Sequence, residues 1–220
     1  MFADDLGRDD DDDNTVTYSM FVECGRSVRR SRQPRTSTGS ASTGRIINGR
    51  RSPRGAWPWQ LFISSVTALM KLSRPVKLNG SPIRAVCLPA RRLAYNETDL
   101  CIATGWGRDK EDGKLAGKLL EVRIPVHDNG LCKKKYGHAV PIRNGHLCAG
   151  HVDGSSGTCV VNKVCLQGDS GGPLQCARRD GKWFLAGITS FGSGCAKPGF
   201  PDVYTRMSYY LPWIKSKMKG

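Results

Sequence analysis

Apolar residues in this chain fall into short runs, among them "QLFI", "CIATG", "WFLAGITSF" and "DVYTR", broken by Gly, Pro, Asn and Asp. Short apolar or alternating runs between such breakers read as strands rather than long helices. The pattern predicts strands at 59–63, 67–72, 85–88, 101–105, 119–124, 146–150, 174–177, 183–191 and 202–206. The closing stretch "SYYLPWIKSKMKG" reads as a short amphipathic helix, with Pro212 in its first turn, where no N–H is needed. Together these elements predict an all-β domain closed by a terminal helix. No internal repeat is present, and no apolar run reaches the length of a membrane span.

Before Arg45 the pattern is different. Residues 1–45 read as a disordered leader that ends in the Ser/Thr/Gly-rich linker "SRQPRTSTGSASTG". Net charge is +15 and unevenly spread. Asp4, Asp5 and Asp9 to Asp13 form an acidic block, and arginines crowd residues 26–54. Such blocks are first of all solvated tail, though the arginines are suited to contact with a polyanion. No aromatic residue interleaves them, so specific nucleic-acid binding is not expected.

Nine cysteines in 220 residues are many for a cytosolic chain. They form no C-x-x-C pair and no His/Cys cluster with zinc spacing. Disulfides in an oxidising, extracellular setting are the expectation. The opening "MFADDLGRDDDDD" nevertheless lacks the basic and apolar regions of a signal peptide. Two sequons, at Asn79 and Asn96, are acceptor sites if the chain is exported, and Pro82 follows the first. No metal and no organic cofactor are expected.

The chemistry concentrates in "CLQGDSGGPLQC" (165–176). A serine hydroxyl becomes a nucleophile only with a base to take its proton and a group to orient that base. This stretch comes in order with "RIING" (45–49), "AWPWQ" (56–60), "VCLP" (86–89), "ATGWG" (103–107), "LCAG" (147–150), "ITSFGSGCA" (188–196) and "PDVYTR" (201–206). Over most of 45–220 the chain resembles the trypsin/chymotrypsin-like serine proteases. The resemblance implies a double antiparallel β-barrel, with a domain over 46–220 and a second barrel over 87–220. It implies serine endopeptidase activity on a peptide or protein substrate, in a zymogen cleaved at Arg45–Ile46.

By the same resemblance Ser170 holds the nucleophile position, and the N–H groups of Gly168 and Ser170 form the oxyanion hole. Asp169 pairs with the new ammonium of Ile46. Gly157, Ser190, Phe191, Gly192 and Asp202 line the substrate groove; Asp202 is either a pocket acid or a solvated turn acid. The implied disulfides are Cys24–Cys87, Cys101–Cys176, Cys132–Cys148 and Cys159–Cys195, which leaves Cys165 over.

The chain departs from the family pattern in two places. "PWQLFISS" runs straight into "VTALMKL", so the segments that carry the family's histidine and aspartate are absent, and the first barrel over 46–86 is a remnant. The segment 161–167 reads as an insertion before Gly168. The four histidines, His127, His138, His146 and His151, fall in outer strands and loops and read as surface residues. With two triad members missing, the chain is expected to be inactive as written. The alternative is a protease homologue that acts as a non-catalytic binding module. Without a complete first barrel the terminal helix is expected to lose its support.

Overall fold

The computed structural model describes residues 2–3, 50–52, 69, 76–78, 83–91, 93–107, 116–138, 140–156, 159–160, 169–195 and 197–218. The expected strand at 59–63 lies outside these residues, as does 67–72 apart from Leu69. The chain is described first as β1 (Phe2–Ala3), β2 (Arg50–Arg51) and β3 (Val86–Cys87). Next come β4 (Cys101–Gly105), β5 (Leu120–Arg123), β6 (Val126–His127) and α1 (Asn129–Tyr136). They are followed by β7 (His146–Ala149), β8 (Cys159–Val160), β9 (Pro173–Ala177), β10 (Trp183–Phe191) and β11 (Gly194–Cys195). Last are β12 (Asp202–Arg206) and α2 (Met207–Met218).

The main sheet runs in the order β2-β5-β4-β9-β10-β12-β7-β6, with every neighbouring pair antiparallel. Only Ile124 and Pro125 separate β5 from β6. Pro125 has no N–H for the ladder, so the strand bends there. Its first half pairs with β4 and its second with β7. The bend is held from both sides, because Ile124 N–H donates to Cys101 O at 3.1 Å and Gly150 N–H donates to Pro125 O at 2.9 Å. The sheet therefore curls round and returns to the same chain segment. Beside this sheet, β3 pairs in parallel with both β1 and β10.

Inside the curl, Ala103, Val122, Ile124, Val126, Leu147, Leu174 and Tyr204 form the main core. These are the inward positions of the alternating runs, and each large side chain that leaves water contributes about 1.5–3 kcal/mol. The Cys101–Cys176 disulfide joins β4 to β9 where the two residues are Cα partners.

The strand pattern carries no sign of α1. Its ends are marked by capping instead: Asp128 Oδ1 accepts from Gly130 N–H at 2.6 Å, and Gly137 closes the helix with φ +57°. The Cys132–Cys148 disulfide pins the helix to β7.

At α2 two expectations are corrected. β12 passes into the helix without a loop, so α2 begins at Met207 and Pro212 lies inside it rather than in its first turn. Nor is the helix unsupported. Met207, Leu211 and Ile214 pack with Val86, Leu88 and Leu185, and Leu69 lies against the same cluster. Burial of that stripe holds the helix despite the hydrogen bond that proline removes.

Candidate active site and its surroundings

Asp169 to Gly172 form a tight turn, in which Gly172 N–H donates to Asp169 O at 2.8 Å. Ser170 is its second residue. Gly171 is its third, with φ +80°, a conformation that a side chain would strain and a type II turn requires. The turn is stitched to β10: Gly171 N–H donates to Thr189 O at 2.9 Å, and Thr189 N–H donates to Gly172 O at 2.9 Å. The Thr189 hydroxyl also donates to Gly172 O, at 3.1 Å. Ser170 is thus held half-buried at the tip of a rigid turn.

Beneath it the Asp169 side chain is only 3% exposed. Its Oδ1 accepts from Gly107 N–H at 2.8 Å, across 62 residues of chain. The carboxylate lies so close to the strand end that a Cβ at Gly107 would come within 2.5 Å of it. The glycines of "ATGWG" are therefore the space in which Asp169 sits. Nothing in the local sequence around Gly107 marks this role; its contact with Asp169 appears only in the folded chain.

Gly168, Gly157, Arg45, Ile46, Cys24 and Cys165 lie outside the described residues. Among the described residues, none of the four histidines bonds to Ser170. His127 is 8% exposed, which corrects its reading as a surface residue. Its Nδ1 is 2.7 Å from Glu97 Oε1 and its Nε2 is 2.7 Å from Gly150 O. His146 Nδ1 accepts from Arg143 N–H at 3.1 Å, and its ring meets the edge of Phe191 at 5.7 Å. His151 Nε2 lies 3.2 Å from Arg123 O, and His138 is exposed.

Of the groove residues, Ser190 is exposed, Gly192 is buried, and Phe191 stacks edge-on with Tyr136 at 5.8 Å. Asp202 opens β12 opposite Ala149 and is 3% exposed, which rules out the solvated turn acid. Its neighbour Tyr136 donates to Pro201 O at 2.9 Å. Burial first, then the negative charge of Asp202, push the Tyr136 hydroxyl up to about 12, against a smaller opposing effect of a backbone hydrogen bond with Ser193. Cys87 is disulfide-bonded, and β8 and β11 set Cys159 and Cys195 as Cα partners.

A curled antiparallel sheet with a terminal helix, and a serine on a glycine turn over a buried aspartate, define the class. A family model described as Trypsin matches residues 65–214, and the chain belongs to the trypsin-like serine protease family. Two curated proteins are similar to it. The proclotting enzyme of Tachypleus tridentatus is 39% identical over 138 residues, 62% of this chain and 35% of that protein. Transmembrane protease serine 11C of Mus musculus is 41% identical over 150 residues, 68% of this chain and 33% of that protein. The matched region thus spans about a third of each relative's length. No helix among the described residues is long and apolar enough to cross a membrane.

Proposed function

We propose that this chain is a serine endopeptidase by descent that, as its sequence stands, presents the nucleophile turn without the base that would activate it. Ser170 occupies the attacking position, and its own N–H with that of Gly168 forms the oxyanion hole. Cleavage at Arg45–Ile46 frees an ammonium that Asp169 receives. The observation that carries the reading is the pairing of a rigid Ser170 turn with four histidines that all lie or bond elsewhere. Loss of the base alone costs about a millionfold in turnover in a serine protease. The expected activity toward a peptide substrate is therefore close to background. The disulfides and the family support an extracellular setting, and the arginines of 26–54 a polyanion contact.

Fluorophosphonate labelling of the purified chain, before and after cleavage at Arg45, tests this reading. The expected result is negligible labelling of Ser170 in both. Strong labelling together with amide hydrolysis would sink it. A second reading, a binding module, is favoured by the likeness of Ser190, Phe191 and Gly192 to the family's substrate-pairing strand, where an extended peptide would add backbone hydrogen bonds. Peptide binding by a Ser170→Ala variant, equal to that of the parent, is the result that reading expects.

A further inference from the structure

At Ser190 the pairing of β10 with β12 slips. Thr189 faces Tyr204 and Phe191 faces Val203, so Ser190 is the extra residue of a bulge. A bulge re-aims the side chains of its strand. Here the Phe191 ring lies half-buried between two others, Tyr136 at 5.8 Å and His146 at 5.7 Å, each set nearly at right angles to it. Such edge-to-face contacts favour one orientation of a ring.

His146 starts β7, in a turn that is closed twice. Its N–H donates to Arg143 O at 3.0 Å, and its Nδ1 accepts from Arg143 N–H at 3.1 Å. Its carbonyl accepts from Asn129 Nδ2 and from Arg206 Nε, both at 2.9 Å. The backbone of residue 146 is therefore pinned, and the ring is the part that can yield.

A proton on Nδ1 would set two donors face to face. The imidazolium would also meet cations, Arg143 in its own turn and Arg206 from β12. Among the described residues no carboxylate forms an ion pair with it. On α1, Asp128 is engaged with Gly130 N–H, Tyr136 donates to Pro201 O, and Lys133, Lys134 and Lys135 are exposed. From α2, Tyr209 and Tyr210 come up against Gly145. Burial first, then Arg143, hold the pKa of the ring below the ordinary 6.5.

We propose that His146 is a positioning residue for Phe191: the neutral ring seats Phe191 where β10 lines the groove, and protonation releases it and weakens the binding of an extended peptide. The inference rests on the reading of Ser190 to Gly192 as the peptide-pairing strand, and it does not require a reactive Ser170.

The test uses the full chain grown with 4-fluorophenylalanine, in which the Phe191 signal is assigned by its loss in Phe191→Leu. Fluorine NMR is followed from about pH 8 to about pH 5, across the histidine range. The Phe191 signal is expected to move with a midpoint below about 6.5. The signal of Phe184, near the other end of β10, should stay still, which separates the movement from unfolding. His146→Asn keeps an acceptor near the place of Nδ1 but does not titrate in this range, and it should abolish the movement. Arg143→Ala removes an exposed cation, keeps the N–H, and should raise the midpoint, a response that a merely structural histidine would not give.

A rhodamine-labelled Ala-Ala-Ala-Arg amide, followed by anisotropy, should bind the parent about fivefold more weakly at the low pH and bind His146→Asn alike at both. A Phe191 signal that stays still, that moves equally in His146→Asn, or whose midpoint Arg143→Ala leaves in place overturns the proposal. So does peptide that binds the parent equally at both pH values. Movement of Phe191 with no peptide bound at either pH upholds the positioning role of His146 and sinks the peptide-binding reading instead.

Discussion

The imidazole of His127 joins Glu97, thirty residues earlier, to the carbonyl of Gly150, through contacts of 2.7 Å on each side. One buried ring thus ties the segment before β4 to the turn that follows β7. The carboxylate lies at the surface, with 69% of its side chain exposed, and the carbonyl end is enclosed. His127→Leu strands a buried carbonyl and is expected to cost about 1–3 kcal/mol. Glu97→Gln removes only the exposed, screened partner and should cost less than about 1 kcal/mol. Urea denaturation of the two variants checks the order, and equal losses would contradict it.

The contact between Asp169 and Gly107 makes a second prediction. A methyl group at residue 107 would come within 2.5 Å of the buried carboxylate. Gly107→Ala should therefore destabilise the chain by about 1–3 kcal/mol, as overpacking does. Asp169→Ala in the same background should recover part of that loss, a non-additivity that a double-mutant cycle measures directly.

Tyr95 presents the opposite case. Its hydroxyl is buried with no hydrogen-bond partner among the described residues, and burial, the largest influence, drives its pKa far above the ordinary tyrosine value. Tyr95→Phe keeps the ring in the core and removes the dehydrated oxygen. The variant should match the parent in stability or exceed it, by up to about 1 kcal/mol in thermal or urea unfolding.

His146 makes stability depend on pH. Burial, and then the charge of Arg143, hold its pKa below the ordinary 6.5. Its Nδ1 also accepts the Arg143 N–H, which requires the neutral ring. A histidine with a depressed folded pKa contributes stability that is complete above the unfolded value and is lost as pH falls through the folded one. Unfolding free energy should thus decline below about pH 6.5. His146→Gln should flatten that part of the profile, and an unchanged slope would assign it to other groups.

Asn96 lies in an exposed turn, where its Oδ1 accepts from Thr98 N–H at 2.9 Å and from the Thr98 hydroxyl at 2.6 Å. A chain made in an export-competent eukaryotic host should carry a glycan there. A mass loss on amidase treatment, abolished by Asn96→Gln, is the expected result. The unmodified mass would count against passage through the secretory lumen.

Much of this molecule is legible in local pattern. The runs at 101–105, 183–191 and 202–206 form strands with those bounds, because alternation and breaker residues act within a few positions. The Ser170 turn is equally local, since Gly171 supplies the positive φ that it needs. The ordered motifs were enough to place the family. Tertiary structure decided what depends on distant neighbours. Helix α1 rests on caps and a disulfide that no apolar period announces. Pro212 sits within a helix because Val86, Leu88 and Leu185 bury Met207, Leu211 and Ile214 of the same helix. His127 reads as a surface residue and Asp202 as either a pocket acid or a solvated turn acid, yet folding encloses both, one between Glu97 and Gly150 and the other at the start of β12. Burial is a property of what the rest of the chain lays over a residue, so no window of sequence around it contains the answer.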